Sequence, residues 1–458
     1  MPSRAKEGAV VSVIRPSRRS LLAMAAGAAA TPGCASVMPQ GLFRSSSLSD
    51  AEPDNEFSVS RLQADLETYD GFGIHRSGSQ ADRDTVEWLA KDWRALGYEI
   101  EFQPFEVPDN DVLYAELEAG GETATLLAQP PFPAAANAVA QAPLVLTDEN
   151  GPVCKAKGAI LLAEAPYMRA SSYETKPFRK LADLALAEDA KALIIVTPGP
   201  TGEGVFLNID PERPYPVTAI AAPGQSALLK RIAESGRSVR LAMPPAKPMR
   251  TAHNVIARRE GGAQTIIVTT PVSGWTHCAG ERGPGIAIMR ALAPWLAKTF
   301  PQKSILLAGL SGHELEGLGA RIFIETKAPP NENVALWLHL GAGIAARNWH
   351  ETDIGLLPLQ SADPQRFLLA APPLNQAVAP HMKGLSGLEQ AYALTPETVA
   401  GDLKEIHNAG YENLMGAFGA HRFHHVIGDR MNTTSGALTA PVALAFRDSI
   451  LSALSGSI

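Results

Sequence analysis

Three short apolar runs, Ile266–Thr269, Ser304–Ala308 and Val334–Leu338, each end in a polar cluster able to bind a metal or move a proton. Runs of this length with no polar face read as strands covered on both sides, which is the condition of a parallel sheet between helices. Open α/β sheets carry their sites at the carboxyl ends of such strands. The stretch Asn254–His339 therefore limits the chain to a βα-alternating fold with one shared site, and the alternation continues from Met249 to the end.

The clusters differ in what they offer. The first strand leads through Thr270-Pro271-Val272-Ser273-Gly274-Trp275 to His277-Cys278-Ala279-Gly280-Glu281-Arg282-Gly283. A helix is expected near Pro284, since proline suits a first turn and the free amides there favour an anion. The second strand leads to Ser311-Gly312-His313-Glu314, a proton carrier beside a metal-capable carboxylate. The third ends at His339, and Phe423-His424-His425 precedes Asp429. Of the 11 histidines, His277, His313, His339, His350, His421, His424 and His425 lie at or near these junctions. A single histidine is more often a surface or core residue, but this grouping with Glu281 and Glu314 points to one site. His75, in a loop before a helix, is assigned no role.

The rest of the chain reads as follows. Phe57–Tyr69 and Asp82–Leu96 have helical spacing, and Tyr98–Val107 alternates like a strand. From about Leu126 the composition turns rich in Pro and Ala. Strands at 157–162, 192–196, 216–220 and 239–241, with helices at 176–190 and 225–235, then read as a small inserted α+β module without a chemical cluster. Gly355–Ala400 reads as helix and loop. No phosphate-binding glycine loop is present. A net charge of -7 and 6% aromatic residues argue against a nucleic-acid partner. Three cysteines cannot make a disulfide framework; Cys154 and Cys278 could pair, or be two buried thiols. Arg18-Arg19 ahead of an Ala-rich run of about ten residues reads as a twin-arginine export signal, too short to span a bilayer. Cys34 offers a weak lipidation site, so a periplasmic or extracellular location is expected. No transmembrane span is expected.

With these residues in place, the chain resembles the M28 family of zinc-dependent aminopeptidases and glutamate-carboxypeptidase-like enzymes with an inserted protease-associated (PA) domain. Gly73-Ile74-His75-Arg76-Ser77-Gly78-Ser79, Lys157-Gly158-Ala159-Ile160-Leu161, Asn254-Val255-Ile256-Ala257 and His407-Asn408-Ala409-Gly410-Tyr411 carry the resemblance, along nearly the whole mature chain. It implies a three-layer αβα peptidase domain with a mostly parallel central sheet, plus a small PA-like α+β domain. The divisions are 1–36 signal peptide, 37–55 linker, 56–125 and 248–458 peptidase domain, and 126–247 insert. The family's first histidine ligand falls on Pro271 and the aspartate of the same motif on Ser273. The bridging carboxylate falls on Glu281, the general base on His313, a ligand glutamate on Glu314, a ligand aspartate on His339 and the last histidine on His425.

The resemblance thus implies one zinc rather than two, held by Glu281, Glu314 and His425. His339 would serve as a fourth ligand or a partner for water, and His313 as the base. Arg282, or the amides near Gly283, would hold a substrate carboxylate or an oxyanion. The expected activity is hydrolysis of a peptide or amide bond. The alternative is an inactive binding protein that has kept the fold. Ser273 or Cys278 as a nucleophile is the lesser reading, since no nucleophile-elbow motif surrounds either.

Overall fold

A computed structural model describes residues 55–109 and 111–455. The export signal, Cys34 and all of the linker but Asn55 lie outside these residues. An eight-stranded mixed sheet organises the larger part. Its strands are β1 (Glu99–Val107), β2 (Arg250–Arg259), β3 (Thr265–Pro271), β4 (Ser304–Leu310), β5 (Val334–Leu340), β6 (Arg366–Ala370), β7 (Ala391–Ala393) and β8 (Leu414–Gly419). Their spatial order is β1-β2-β4-β3-β5-β8-β6-β7. The four strands β4, β3, β5 and β8 run parallel; β1 and β2 pair antiparallel with their neighbours, and β6 pairs antiparallel with β8 but parallel with β7.

Alternation along the central strands creates two cores. Ile266 and Val268, with Ile305, Leu307, Leu336 and Leu338, face helices α1 (Val59–Phe72), α2 (Gln80–Ala95), α3 (Gly283–Thr299) and α6 (Gly436–Ser455). Ile267, Leu306 and Trp337 face the other way, against Phe323 of α4 (Leu318–Thr326) and Leu403 and Ile406 of α5 (Asp402–Asn408). A sheet buried on both faces by helices is the three-layer arrangement that the unbroken apolar runs require. Helix α6 is long and apolar enough to cross a bilayer by composition. Its Leu438, Val442, Phe446 and Ile450 are instead buried, the last three in the main core.

A second sheet closes on itself. Ser238–Ala242, Tyr114–Ala119, Glu122–Gln129, Thr218–Ala221, Ala192–Val196, Ile160–Glu164 and Val139–Asp148 pair in that order, and Val139–Asp148 returns to Ser238–Ala242. Helices Lys176–Ala187 and Ser226–Glu234 accompany it. Three features differ from expectation. Strands at 114–119 and 122–129 already belong to this second sheet, ahead of residue 126. The Pro- and Ala-rich stretch contains the strand Val139–Asp148, whose buried Ala140 and Ala142 give little hydrophobic contrast. The region 355–400 contributes a hairpin with Arg347–Thr352 and the sheet strand β6. Both cysteines are free; Cys278 is buried and Cys154 exposed, so they are neither a pair nor two core thiols.

Candidate active site

The loops after β4, β5 and β8 meet at one cavity of about 350 Å³, lined by His313, His339, Asp402, His424 and His425; Glu281, from the loop after β3, stands against His424 and His425 without lining it. Parallel pairing puts the carboxyl ends of these strands on the same edge, and Thr269 of β3 is the register partner of His339 on β5. The turn after β4 depends on two glycines. Gly312 has φ +85, and a Cβ on Gly319 would sit 1.9 Å from the Ser311 carbonyl oxygen. Glycine alone is comfortable in both places.

Glu281 is fully buried at the start of α3. Its loop is fixed by Asp429, whose Oδ1 accepts from the Gly280 amide at 2.8 Å and whose Oδ2 accepts from the Glu281 amide at 3.1 Å. Glu281 Oε1 stands 3.5 Å from His424 Nε2 and 3.6 Å from His425 Nε2. Among the described residues, these three form the one group placed to share a metal ion. Donors about 2.0–2.1 Å from a tetrahedral ion are separated by about 3.3 Å, so the spacing suits zinc. The tautomer suits it as well. His425 Nδ1 lies 3.0 Å from the Phe206 carbonyl oxygen, which can only accept, leaving the Nε2 lone pair free. Phe206 belongs to the inserted region, which therefore orients a site residue although it carries no chemical cluster of its own. His425 has φ +59, and Cys278 and Glu316 are also left-handed. Backbone strain of this kind collects where the surrounding structure fixes a functional geometry.

Arg282 sits opposite the imidazoles. Its guanidinium is fully buried, Nη2 lies 2.5 Å from Glu281 Oε1, and Nε donates to the Ser273 carbonyl at 2.9 Å. It therefore faces the Glu281 carboxylate rather than an exposed substrate position. Burial raises the Glu281 pKa, but Arg282, then His424 and His425, outweigh it and hold the carboxyl well below its usual range. Burial pushes His425 down to about 4 and His424 well below its ordinary value, so both rings are neutral, as ligands must be.

Glu314 does not join this group. Its Oε1 accepts from the Ser77 amide at 2.7 Å and from Ser77 Oγ at 2.6 Å, and its Oε2 accepts from Ser273 Oγ at 2.7 Å. Both carboxylate oxygens are thus taken up by protein donors. His313 faces the cavity and pairs with Asp402, Nδ1 to Oδ1 at 2.8 Å. Burial raises the Asp402 pKa, yet His313 more than offsets it and the carboxyl titrates below its usual value. A carboxylate that accepts from Nδ1–H leaves Nε2 as the basic nitrogen. His339 Nδ1 lies 2.9 Å from Thr269 Oγ1, and burial lowers the ring to about 4. Sequence reasoning gave no role to Asp402, Ser77 or the Phe206 carbonyl, and counted His424 only among the grouped histidines. A serine, a backbone carbonyl or an aspartate 89 residues from its histidine has no local signature.

No protein-family model and no curated protein matches the chain. Solved structures share its fold. A zinc aminopeptidase from Bacillus subtilis aligns over 88% of this chain and 95% of its own, at 16% identity and a TM-score of 0.67. A peptidase M28 precursor from Shewanella amazonensis SB2B aligns over 87% and 94%, at 17% identity and 0.63. An aminopeptidase from Aneurinibacillus sp. strain AM-1 covers the same shares at 15% identity and 0.62.

Proposed function

We propose that this chain is an M28-like metallohydrolase that cleaves peptide or amide bonds with a single zinc ion. The observation that carries the reading is the convergence of His424 Nε2 and His425 Nε2 on Glu281 Oε1 at tetrahedral-edge distances. The aminopeptidases that share the fold support the substrate class. Glu281, His424 and His425 would hold the ion, and Glu314 would be a structural carboxylate. A zinc ion there supplies a Lewis acid and water of lowered pKa.

The chain's own residues would do the rest. His313 Nε2 takes the proton of the attacking water while Asp402 holds the ring and offsets its positive charge; the same ring then returns the proton to the leaving amine. Phe367, Phe418 and Ala420 give the cavity an apolar wall. The small insert is PA-like in this reading and buttresses His425 through Phe206. Export through the twin-arginine signal to the periplasm or beyond belongs to the same proposal.

Zinc content of the purified chain and hydrolysis of a dipeptide and aminoacyl-amide panel test it. One zinc per chain, lost in His425→Ala, with chelator-sensitive hydrolysis, is expected. Absence of stoichiometric zinc refutes it. The second reading, an inactive binding protein, is favoured by one observation: Arg282 already occupies the oxygen that the imidazoles face. Stoichiometric zinc without turnover of any peptide or amide would favour that reading.

A further inference from the structure

His339 occupies a ligand position in the expected pattern, but its neighbours suit a different task. Thr269 and His339 are opposite each other on adjacent parallel strands, and Trp337 precedes His339 by one full alternation on the same face. Trp337 Nε1, which can only donate, lies 2.9 Å from Thr269 Oγ1. Thr269 Oγ1 lies 2.9 Å from His339 Nδ1, and Thr269 is fully buried.

The hydroxyl has one proton to place. If His339 Nδ1 carried a proton toward it, Thr269 would accept twice and its own proton would be buried with no acceptor among the described residues, a cost of about 1–3 kcal/mol. With the Thr269 proton given to His339 Nδ1, all three groups are satisfied in a single chain from Trp337 through Thr269 to His339. Burial keeps the ring neutral, so its one proton then sits on Nε2. The ring lines the same cavity as His313, and Asp402 and His313 both act on it electrostatically.

We infer that His339 is not a metal ligand but a fixed hydrogen-bond donor, presenting Nε2–H to the carbonyl oxygen of a bound amide and to the oxyanion formed from it. A nitrogen that carries a proton has no lone pair for an ion, whereas a pre-oriented N–H lining the cavity is well suited to developing negative charge. In the cavity, two imidazoles would then have opposite tautomers and opposite tasks. Asp402 makes His313 Nε2 an acceptor, and Thr269 makes His339 Nε2 a donor. The oxyanion role rests on the hydrolase reading; the tautomer does not.

The test uses the full chain labelled with 15N-histidine and loaded with zinc. The ring spectrum of His339, identified by its disappearance in His339→Leu, is expected to show the proton on Nε2. Thr269→Val should relax that preference and Thr269→Ser restore it. His339→Leu should retain its zinc and lower kcat by about 10²–10³-fold with little change in KM, the usual cost of one oxyanion donor. His339→Gln, which keeps a side-chain N–H, should recover part of the loss. A proton on Nδ1, or loss of zinc in His339→Leu, overturns the inference. A wild-type chain that holds zinc and shows the Nε2 proton but turns over nothing overturns the hydrolase reading and the oxyanion role, and leaves the donor tautomer standing.

Discussion

Replacing Arg282 with methionine should tighten zinc binding while weakening the zinc-free fold. Arg282 Nη2 lies 2.5 Å from Glu281 Oε1, the oxygen that His424 and His425 face. An ion bound about 2.0 Å from that oxygen would stand roughly 4 Å from the guanidinium. Coulomb's law puts the repulsion of a divalent ion and a unit charge at that separation near 8 kcal/mol for an effective dielectric of about 20, and about 2 kcal/mol for that of water. With about 1.4 kcal/mol per tenfold, even the lower figure means a dissociation constant at least roughly 30-fold smaller in Arg282→Met. Without zinc the variant leaves a buried carboxylate unpaired, and a loss of about 3–5 kcal/mol is expected. Competition with a chromogenic chelator gives the affinity, and thermal unfolding with and without zinc gives the linkage, which should be larger in the variant. Arg282→Lys keeps the charge and should stay close to wild type in zinc affinity. Unchanged or weaker zinc binding in Arg282→Met would refute the reasoning, because the guanidinium would then not act on the ion's position.

Three further outcomes follow from the same geometry. Asp402→Asn should lower kcat by about 10²–10⁴-fold with little change in KM, since the amide can place its own N–H toward His313 Nδ1 and move the ring proton to Nε2; steady-state kinetics on the amide panel reads it. Glu314→Gln should retain zinc, measured by metal analysis, and lose stability in denaturant unfolding, because its oxygens accept from Ser77 and Ser273 and an amide cannot accept on both sides. His75, stacked on Tyr69 at 3.8 Å, is pushed down to about 3, first by burial and then by His277, with Asp70 acting the other way. The folded ring therefore binds fewer protons than the unfolded one, and its contribution to stability falls as the pH drops from about 6.5 toward 3. Asp82, raised by burial to about 7, works in the opposite sense between its ordinary value of 3.8 and 7. His75→Phe should thus flatten the acid loss relative to wild type, by up to about 1.4 kcal/mol per pH unit within that window, in unfolding curves at pH 7 and 5.

How much of this was legible depends on what kind of atom does the work. The strands β3, β4 and β5 were legible because unbroken apolar runs leave little choice but a sheet covered on both faces. Glu281, His313 and His339 were legible as polar residues at the ends of such strands or in the loops after them, and His425 through its place in the His424-His425 pair ahead of Asp429. Asp402 was not, since it lies in a seven-residue helix 89 positions after His313 and only the fold brings the two within 2.8 Å. The Phe206 carbonyl could not be read at all, because every residue has one. Thr269 looked like the last residue of a strand, and its hydroxyl gains meaning only through register with His339. The strand Val139–Asp148 was hidden for a compositional reason: alanine buries as well as leucine but barely marks a periodic pattern.

Ser273 explains why the departures from the expected ligand pattern belong together. Its hydroxyl donates to Glu314 Oε2 and accepts the Gly312 amide at 2.7 Å, while its carbonyl accepts Arg282 Nε. An aspartate at 273 would bring a second carboxylate against Glu314 in a buried place, where neither hydroxyl donation nor the Arg282 charge could satisfy both. With serine there, the Glu314 oxygens are held by hydrogen bonds from Ser77 and Ser273, with buried Arg76 acting on the carboxylate electrostatically, and they are no longer free to bind an ion. Proline at 271 then removes no ligand that the remaining geometry could use, and the positive charge facing Glu281 comes from Arg282, a group the chain carries permanently. The same logic applies on the other side of the cavity, where Asp402 is balanced by His313 and His339 stays neutral. In the proposed one-zinc site, fixed protein groups would supply part of the charge around Glu281, and each of those groups is held by another that lies elsewhere in the sequence.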